Sequence, residues 1–420
     1  MTGSVPTTAI LHYSAPPVIG GVEAVILAHA ETFVAYGYPV TVIAGRGEAD
    51  ALPEGVDLVR IPELDSQHGQ VLEMGRELEQ GIIPLQFEGF VDLLARQLAP
   101  IMDRFDNVIV HNVFTKRFNL PLTAALFRLM DANQSTHYIA WCHDFDWTSS
   151  RSRAKVHPGY PWDLLRGHRE DVTYVVVSQQ RQKILAELLG CPREDIQVIY
   201  NGVSAPTLLG LTETGHALVE RLELFSAELI MLMPVRVTQA KNIEYALRVV
   251  AALKARGCQV KLVLTGPPDP HDEGSMGYFH SLQELRRQLG VEQEMRFVFE
   301  SGPDPDEGYI IGYPVVADLY RVSDLLFMPS HREGFGMPVL EAGLCGMPVV
   351  STPVPAAEEI GGEDVLLFDR SDDPQELADR ILDWSQSRPV HRLRQRVRQN
   401  YTWQTIFQRR IEPMLQRSQA

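Results

Sequence analysis

The sequence predicts an α/β protein of two doubly wound units in series, and three observations carry that prediction. The chain has 420 residues, more than one core usually serves. Short apolar runs alternate with helix-like stretches along its whole length. Most of those runs are continuous rather than alternating, which is the pattern of parallel strands covered on both faces.

Taken in order, strands are expected at 8–13, 39–44, 56–61, 107–111, 137–142, 172–178 and 196–200. A helix is expected over 22–33, and the less regular residues 57–89 read as a surface excursion. The turn-rich stretch NGVSAPTLLGLTETG, 201–215, separates this series from a second one. Strands of the second series are expected at 229–235, 259–266, 295–300, 324–329 and 347–352, with helices such as 244–256 and 281–289 between them. The arginine-rich RPVHRLRQRVRQN, 388–400, reads as a solvated helix in preference to a membrane-surface or nucleic-acid patch, because its arginines do not form one clean face.

Composition bounds the function. Apolar residues make 45% and charged residues 22% of the chain, as in ordinary globular proteins, and the formal charge is −16. So acidic a chain is a poor general binder of nucleic acid. Cys142, Cys191, Cys258 and Cys345 are scattered with no CxxC pair, which argues against a structural zinc site or a disulfide scaffold and fits a reducing compartment. The opening MTGSVPTTAILHYSAPP lacks a basic region and a long apolar core, so no signal peptide is expected. No run approaches the roughly 18–20 apolar residues of a membrane span. A cytoplasmic protein is expected, with peripheral membrane contact and oligomerisation left open.

Four stretches fall where strand ends meet helix starts, the usual place for ligands in such sheets. PPVIGGVE, 16–23, puts Gly20 and Gly21 before a helix, either as a backbone cradle for phosphate or sugar or as a plain turn. It is not GxGxxG, so a dinucleotide fingerprint is missing. PVRVTQAKNIE, 234–244, places Arg236 and Lys241 where both could reach a diphosphate, or could be solvated loop cations. WCHDFDW, 141–147, sets His143 among aromatics as a ligand-facing or a structural histidine. Its Asp144 and Asp146 make a DxD pattern, which could hold a metal but ranks low beside the basic pair.

The fourth stretch is the most specific: SHREGFGMPVLEAGLCGMPVVSTPVPAAEEIGG, 330–362. Glu333 precedes a glycine-bearing loop. Pro338 suits the first position of a helix, and Glu341 is expected in that helix's first turn. Gly334 and Gly336 allow close backbone approach, and the helix start favours an anion. A phosphate-friendly loop flanked by two sugar-binding carboxylates is the shape suggested.

This stretch resembles the signature of the retaining family 4 glycosyltransferases, the group 1 type with the GT-B fold. GGVE, VIYNGV, LVLTGP (262–267), DLYRVSD (318–324) and YTW (401–403) follow in that family's order over most of the chain. The resemblance implies two Rossmann-like doubly wound domains facing across a cleft. An acceptor-side domain over 1–205 would be joined by a returning helix at about 402–420, with a nucleotide-sugar domain over 206–401. It implies Glu333 on the hydroxyls of the transferred sugar, Glu341 on the ribose, and Arg236 with Lys241 on the diphosphate. The backbone from Phe335 through Gly336, Met337 and Pro338 to Val339 would touch sugar and phosphate with its N–H groups. Gly20 and Gly21 would lie by the diphosphate or acceptor, and His143 beside the reacting carbon. The chain departs from the pattern at PAAEEIGG, where Glu358 or Glu359 could take the place of a usual glutamate, and at the long segment 301–320.

The activity implied is transfer of a hexosyl group from a UDP-, GDP- or ADP-sugar to a hydroxyl acceptor (a sugar, a glycolipid, or a small polyol or acid), with no metal and no other cofactor. The alternatives are another enzyme of this architecture, an epimerase or phosphorylase, or a non-catalytic nucleotide-sugar binder. The loop 143–163 is expected to border the acceptor. Trp147, Tyr160 and Trp162 would stack on a sugar and Arg151, Arg153 and Lys155 would meet an anion, or all would be surface residues.

Overall fold

The computed structural model describes residues 5–133, 135–269 and 274–416. The first four residues of the opening stretch and the last four of the returning segment lie outside these. The chain divides into two compact units. Unit 1 is Met1–Gly202 with Trp403–Ala420, and unit 2 is Val203–Thr402.

Unit 1 is built on β1 (Thr8–Ser14), β2 (Val40–Arg46), β3 (Asp57–Arg60), β4 (Asn107–His111), β5 (His137–Cys142), β6 (Val172–Val176) and β7 (Ile196–Val198). They form one sheet in the order β3-β2-β1-β4-β5-β6-β7, and every pair is parallel. β1 and β4, at its centre, are buried along their full length, with the apolar runs AIL at 9–11 and VIV at 108–110 in their middles and polar residues at their ends. The residues 57–89 are not a surface excursion. They supply β3 and the helix Gly69–Leu78, whose Val71, Met74 and Leu78 enter the core at 3.6-residue spacing. The polar residues between them hid that period from a strand-by-strand reading.

Unit 2 carries β8 (Leu229–Met233), β9 (Val260–Leu264), β10 (Met295–Phe297), β11 (Leu325–Met328), β12 (Val349–Ser351) and β13 (Leu366–Leu367). The order is β10-β9-β8-β11-β12-β13, again all parallel. β13 has two half-buried residues and no run long enough to announce itself.

The two units close differently. In unit 1 the returning segment runs as the α-helix Trp403–Ile406, a π-helical turn Phe407–Ile411 and the α-helix Glu412–Gln416, and it buries Phe407, Ile411, Met414 and Leu415. Gly202 lies so close to it that a Cβ would stand 2.8 Å from the Trp403 nitrogen. In unit 2 the helix Pro389–Asn400 is not merely solvated. Arg398 is buried and grips Asp324 with both guanidinium nitrogens at 2.8 Å, and Arg394 approaches the same carboxylate at 3.7 Å. No described helix is long and apolar enough to cross a membrane.

Candidate functional site

Strand order reverses direction between β8 and β11 in unit 2 and between β1 and β4 in unit 1. Ligands of open parallel sheets bind outside the carboxyl ends of strands at such points.

In unit 2, β8 leads to Arg236 and a single turn Gln239–Lys241, while β11 leads to Ser330 and Glu333. The amide of His331 donates to the Ala240 carbonyl at 2.8 Å, which ties the two loops together. Lys241 Nζ lies 2.6 Å from Glu333 Oε1, and Ser330 Oγ donates to the same oxygen at 2.8 Å. Both side chains are largely buried, at 19% and 11% exposure, so the pair is little screened. Glu333 Oε2 has no protein donor among the described residues. Arg236 is brought elsewhere: it is 57% exposed and its Nη1 stands 3.7 Å from Asp269.

The loop that follows is shaped for a close partner. Gly336 takes φ 104°, which side chains rarely adopt, and Gly334 faces open space. The helix Met337–Leu344 starts there, with Pro338 as its second residue rather than its first. Pro338 has no N–H, and that of Val339 goes to the Gly336 carbonyl at 3.0 Å. Of residues 335–339, those left with an amide unpartnered among the described residues are Phe335, Gly336 and Met337. No acidic residue occupies the helix's first turn. Glu341 is its fifth residue, one turn further on than expected.

Glu341 has partners the sequence reading missed. Tyr320 donates to its Oε2 at 2.5 Å and Tyr313 to its Oε1 at 3.1 Å. Both tyrosines sit on the helix Tyr313–Val322 that ends the long 301–320 segment. Their seven-residue spacing, two helical turns, was the available signal. Burial and the Glu341 carboxylate push the Tyr320 phenol far above its usual range, so it stays a donor. Glu358 and Glu359 are both exposed in the turn Ala357–Gly361.

Unit 1 presents histidines instead. His12 lies on β1, His111 ends β4 and His143 follows β5. His12 Nδ1 meets the His111 carbonyl at 2.9 Å, and His111 Nδ1 meets His143 Nε2 at 3.2 Å. Asn112 adopts φ 59° and its side-chain oxygen accepts from the amide of His143 at 2.8 Å and of Asp144 at 3.2 Å. Burial keeps these rings neutral. His143 is lowered to about 4, first by desolvation and then by His12, and His111 is held well below its usual value, first by burial and then by His29, His143 and His12. The sequence reading singled out His143 alone; His12, His111 and Asn112 share its position at a strand end.

Gly20 and Gly21 start the helix Gly21–Ala35, whose first turn already holds a carboxylate, Glu23. Ser14 donates to Glu23 at 2.6 Å, and a Cβ on Gly20 would stand 2.1 Å from that carboxylate.

The loop 143–163 departs from expectation. Trp147 and Trp162 are buried, the Trp147 indole donates to the Trp162 carbonyl at 3.1 Å, and Arg153 and Arg166 lie over the Trp147 ring. They are core residues, not stacking plates; their apolar area outweighed their place in a loop. Tyr160 is exposed, and its hydroxyl goes to Glu88 at 3.0 Å. The DxD carboxylates go to different cations: Asp146 is buried 2.6 Å from Lys116, and Asp144 pairs with Arg181 at 2.9 Å. One group of three metal-capable side chains comes together among the described residues, His168, Cys191 and Asp195, and it shares no residue with the sites above.

Two family models match the chain. Residues 19–205 match "Glycosyltransferase Family 4" and residues 217–402 match "Glycosyl transferases group 1". The chain belongs to the group 1 glycosyltransferases. An uncharacterised glycosyltransferase of Methanocaldococcus jannaschii is 27% identical over 56% of this chain and 58% of its own length. The mannosylglucosylglycerate synthase of Petrotoga mobilis is 24% identical over 66% of each. The chain thus spans about three fifths of the curated relatives it matches. The sucrose-phosphate synthase structure from Thermosynechococcus elongatus aligns with 98% of this chain and 98% of that one at 17% identity, with a TM-score of 0.40.

Proposed function

We propose that this chain is a retaining hexosyltransferase that moves a sugar from a nucleoside-diphosphate donor to a hydroxyl acceptor. The observation that carries the reading is the Lys241–Glu333–Ser330 cluster beside a helix N-terminus with no acid in its first turn. Unit 2 holds the donor. Breaking the anomeric C–O bond builds positive charge on the sugar and negative charge on the leaving diphosphate. Lys241, Arg236 and the loop amides stabilise the leaving group, each such preorganised donor contributing about 2.7–4 kcal/mol. Glu333 Oε2 accepts from sugar hydroxyls, and Glu341, fixed by two tyrosines, accepts from the ribose. Unit 1 holds the acceptor, beside neutral His143. The departing phosphate oxygen takes the acceptor proton as the acceptor attacks the same face. In this reading cations and amides do the work of a metal, and the cytoplasm, suited to four unpaired cysteines, is the place of action.

The test is release of nucleoside diphosphate from UDP-, GDP- and ADP-sugars by the purified chain, with a panel of hydroxyl acceptors. One donor is expected to turn over and Arg236→Ala to lower kcat about a hundredfold or more. Near-normal turnover in that variant removes Arg236 from the clamp. No release from any donor with any acceptor overturns the reading.

A further inference from the structure

Unit 1 contains a cavity of about 290 Å³ that shares no residue with the donor cluster or the histidines. Its lining includes Arg76, Glu79, Arg117, Phe118, Lys155 and Trp162. These come from three stretches, each following a strand's carboxyl end: 66–79 after β3, 117–120 after β4 and 155–162 after β5. The cavity adjoins the histidine line. The Phe118 ring lies 6.0 Å from that of Tyr13, and the Tyr13 ring 4.9 Å from that of His12.

Its charge runs against the chain. The whole protein carries −16, yet the lining holds three cations and one anion. Arg117 Nη1 and Lys155 Nζ each stand 3.0 Å from Glu79, and Arg117 Nε lies 3.9 Å from the buried Asp146, which Lys116 holds at 2.6 Å. Arg76 has no ion-pair partner among the described residues. Phe118 is 45% exposed and offers an apolar plate beside the cations. A guanidinium fork, a second guanidinium and an ammonium around one cavity suit a phosphate or carboxylate.

Resting on the transferase reading, we propose that this cavity selects the acceptor: it binds a phosphate or carboxylate on the acceptor molecule, with Phe118 against its carbon skeleton. The anion could be carried by a soluble polyol or by a lipid headgroup, and the assay separates the two. Nucleoside diphosphate release is followed with the working donor and with glycerol, glycerate, glycerol 3-phosphate, inositol and inositol 1-phosphate. A parallel arm uses phosphatidylglycerol vesicles against phosphatidylcholine vesicles. Thermal stabilisation by inorganic phosphate is measured alongside.

Charged acceptors are expected to be preferred in one arm. Arg76→Gln and Lys155→Gln are each expected to raise KM for that acceptor about tenfold or more, with kcat moved far less, and Lys155→Arg to restore most of it. Neutral acceptors used as well as charged ones, or substitutions that leave KM alone, overturn the proposal while the transferase reading stands. Should no donor turn over at all, the transferase reading falls. Stabilisation by phosphate that Arg76→Gln abolishes would then still support the anion site, and no such stabilisation would overturn it.

Discussion

The two units share one construction and differ in the forces placed on it. Each is an all-parallel sheet whose strand order reverses beside its first strand, and each gathers its unusual residues past the strand ends there. In unit 1 those residues are neutral: His12, His111 and His143 hold one another through ring nitrogens and a carbonyl. The adjacent helix start already contains Glu23. In unit 2 they are ionic: Lys241 on Glu333, tyrosines on Glu341, and a helix start without an acid. The closing segments repeat the contrast, apolar in unit 1 and an arginine–aspartate grip in unit 2. Topology decides where strand ends meet; the first few residues past the two central strands decide whether the groups gathered there are charged or neutral.

If that contrast is real, removing charge should injure unit 2 most. Arg398→Met leaves Asp324, whose side chain is fully buried, with the Ile230 amide at 2.8 Å and, of its cations, only the more distant Arg394. Removing one partner of a buried pair typically costs 3–5 kcal/mol. Chemical denaturation should show unit 2 unfolding earlier by about that amount while the unit 1 transition stays in place. A loss below about 1 kcal/mol would take the ion pair out of the account of what holds unit 2 together.

The next largest effect sharpens the contrast at the sites. Glu333→Gln keeps the shape but removes the charge opposite Lys241, and kcat for donor turnover should fall about 10²–10³-fold. His143→Ala removes a neutral hydrogen-bonding ring, worth about 0.5–1.5 kcal/mol, so a loss of about tenfold or less is expected. Equal losses in the two variants would break the contrast between an ionic and a neutral half.

How much of this was legible follows from what a one-dimensional pattern can carry. The central strands announce themselves because burial on both faces demands unbroken apolar runs, as in VIV at 108–110 and LIMLM at 229–233. β13, two residues long, has no such run. Glu333, Lys241 and the glycine loop lie in one motif or beside one, so their types and spacing could be read. Partnerships across distance could not. Nothing local says that Arg398 reaches Asp324, or that Arg117 and Lys155 meet on Glu79. Trp147 and Trp162 misled for the opposite reason, since a loop position says little about which way a large ring turns.

The smallest effect tests the neutral half directly. His29 is fully buried among Trp141, Trp403 and His111, and neither ring nitrogen has a hydrogen-bond partner among the described residues. Burial, then the proximity of His143, lowers it from 6.5 to about 3. Between those values the unfolded chain takes up a proton that the folded chain refuses, so stability falls as pH drops below 6.5 and the loss levels off near 3. The slope is about 1.4 kcal/mol per pH unit for one such group. His29→Phe fills similar volume, takes no proton and leaves no polar atom unpartnered. Near pH 7 it should match the wild type within about 1 kcal/mol. By pH 5 it should be ahead by about a further 2 kcal/mol, and denaturant unfolding of unit 1 at the two pH values measures the difference. An unchanged gap would mean that His29 protonates as readily folded as unfolded, and the neutral histidine line would lose its innermost member.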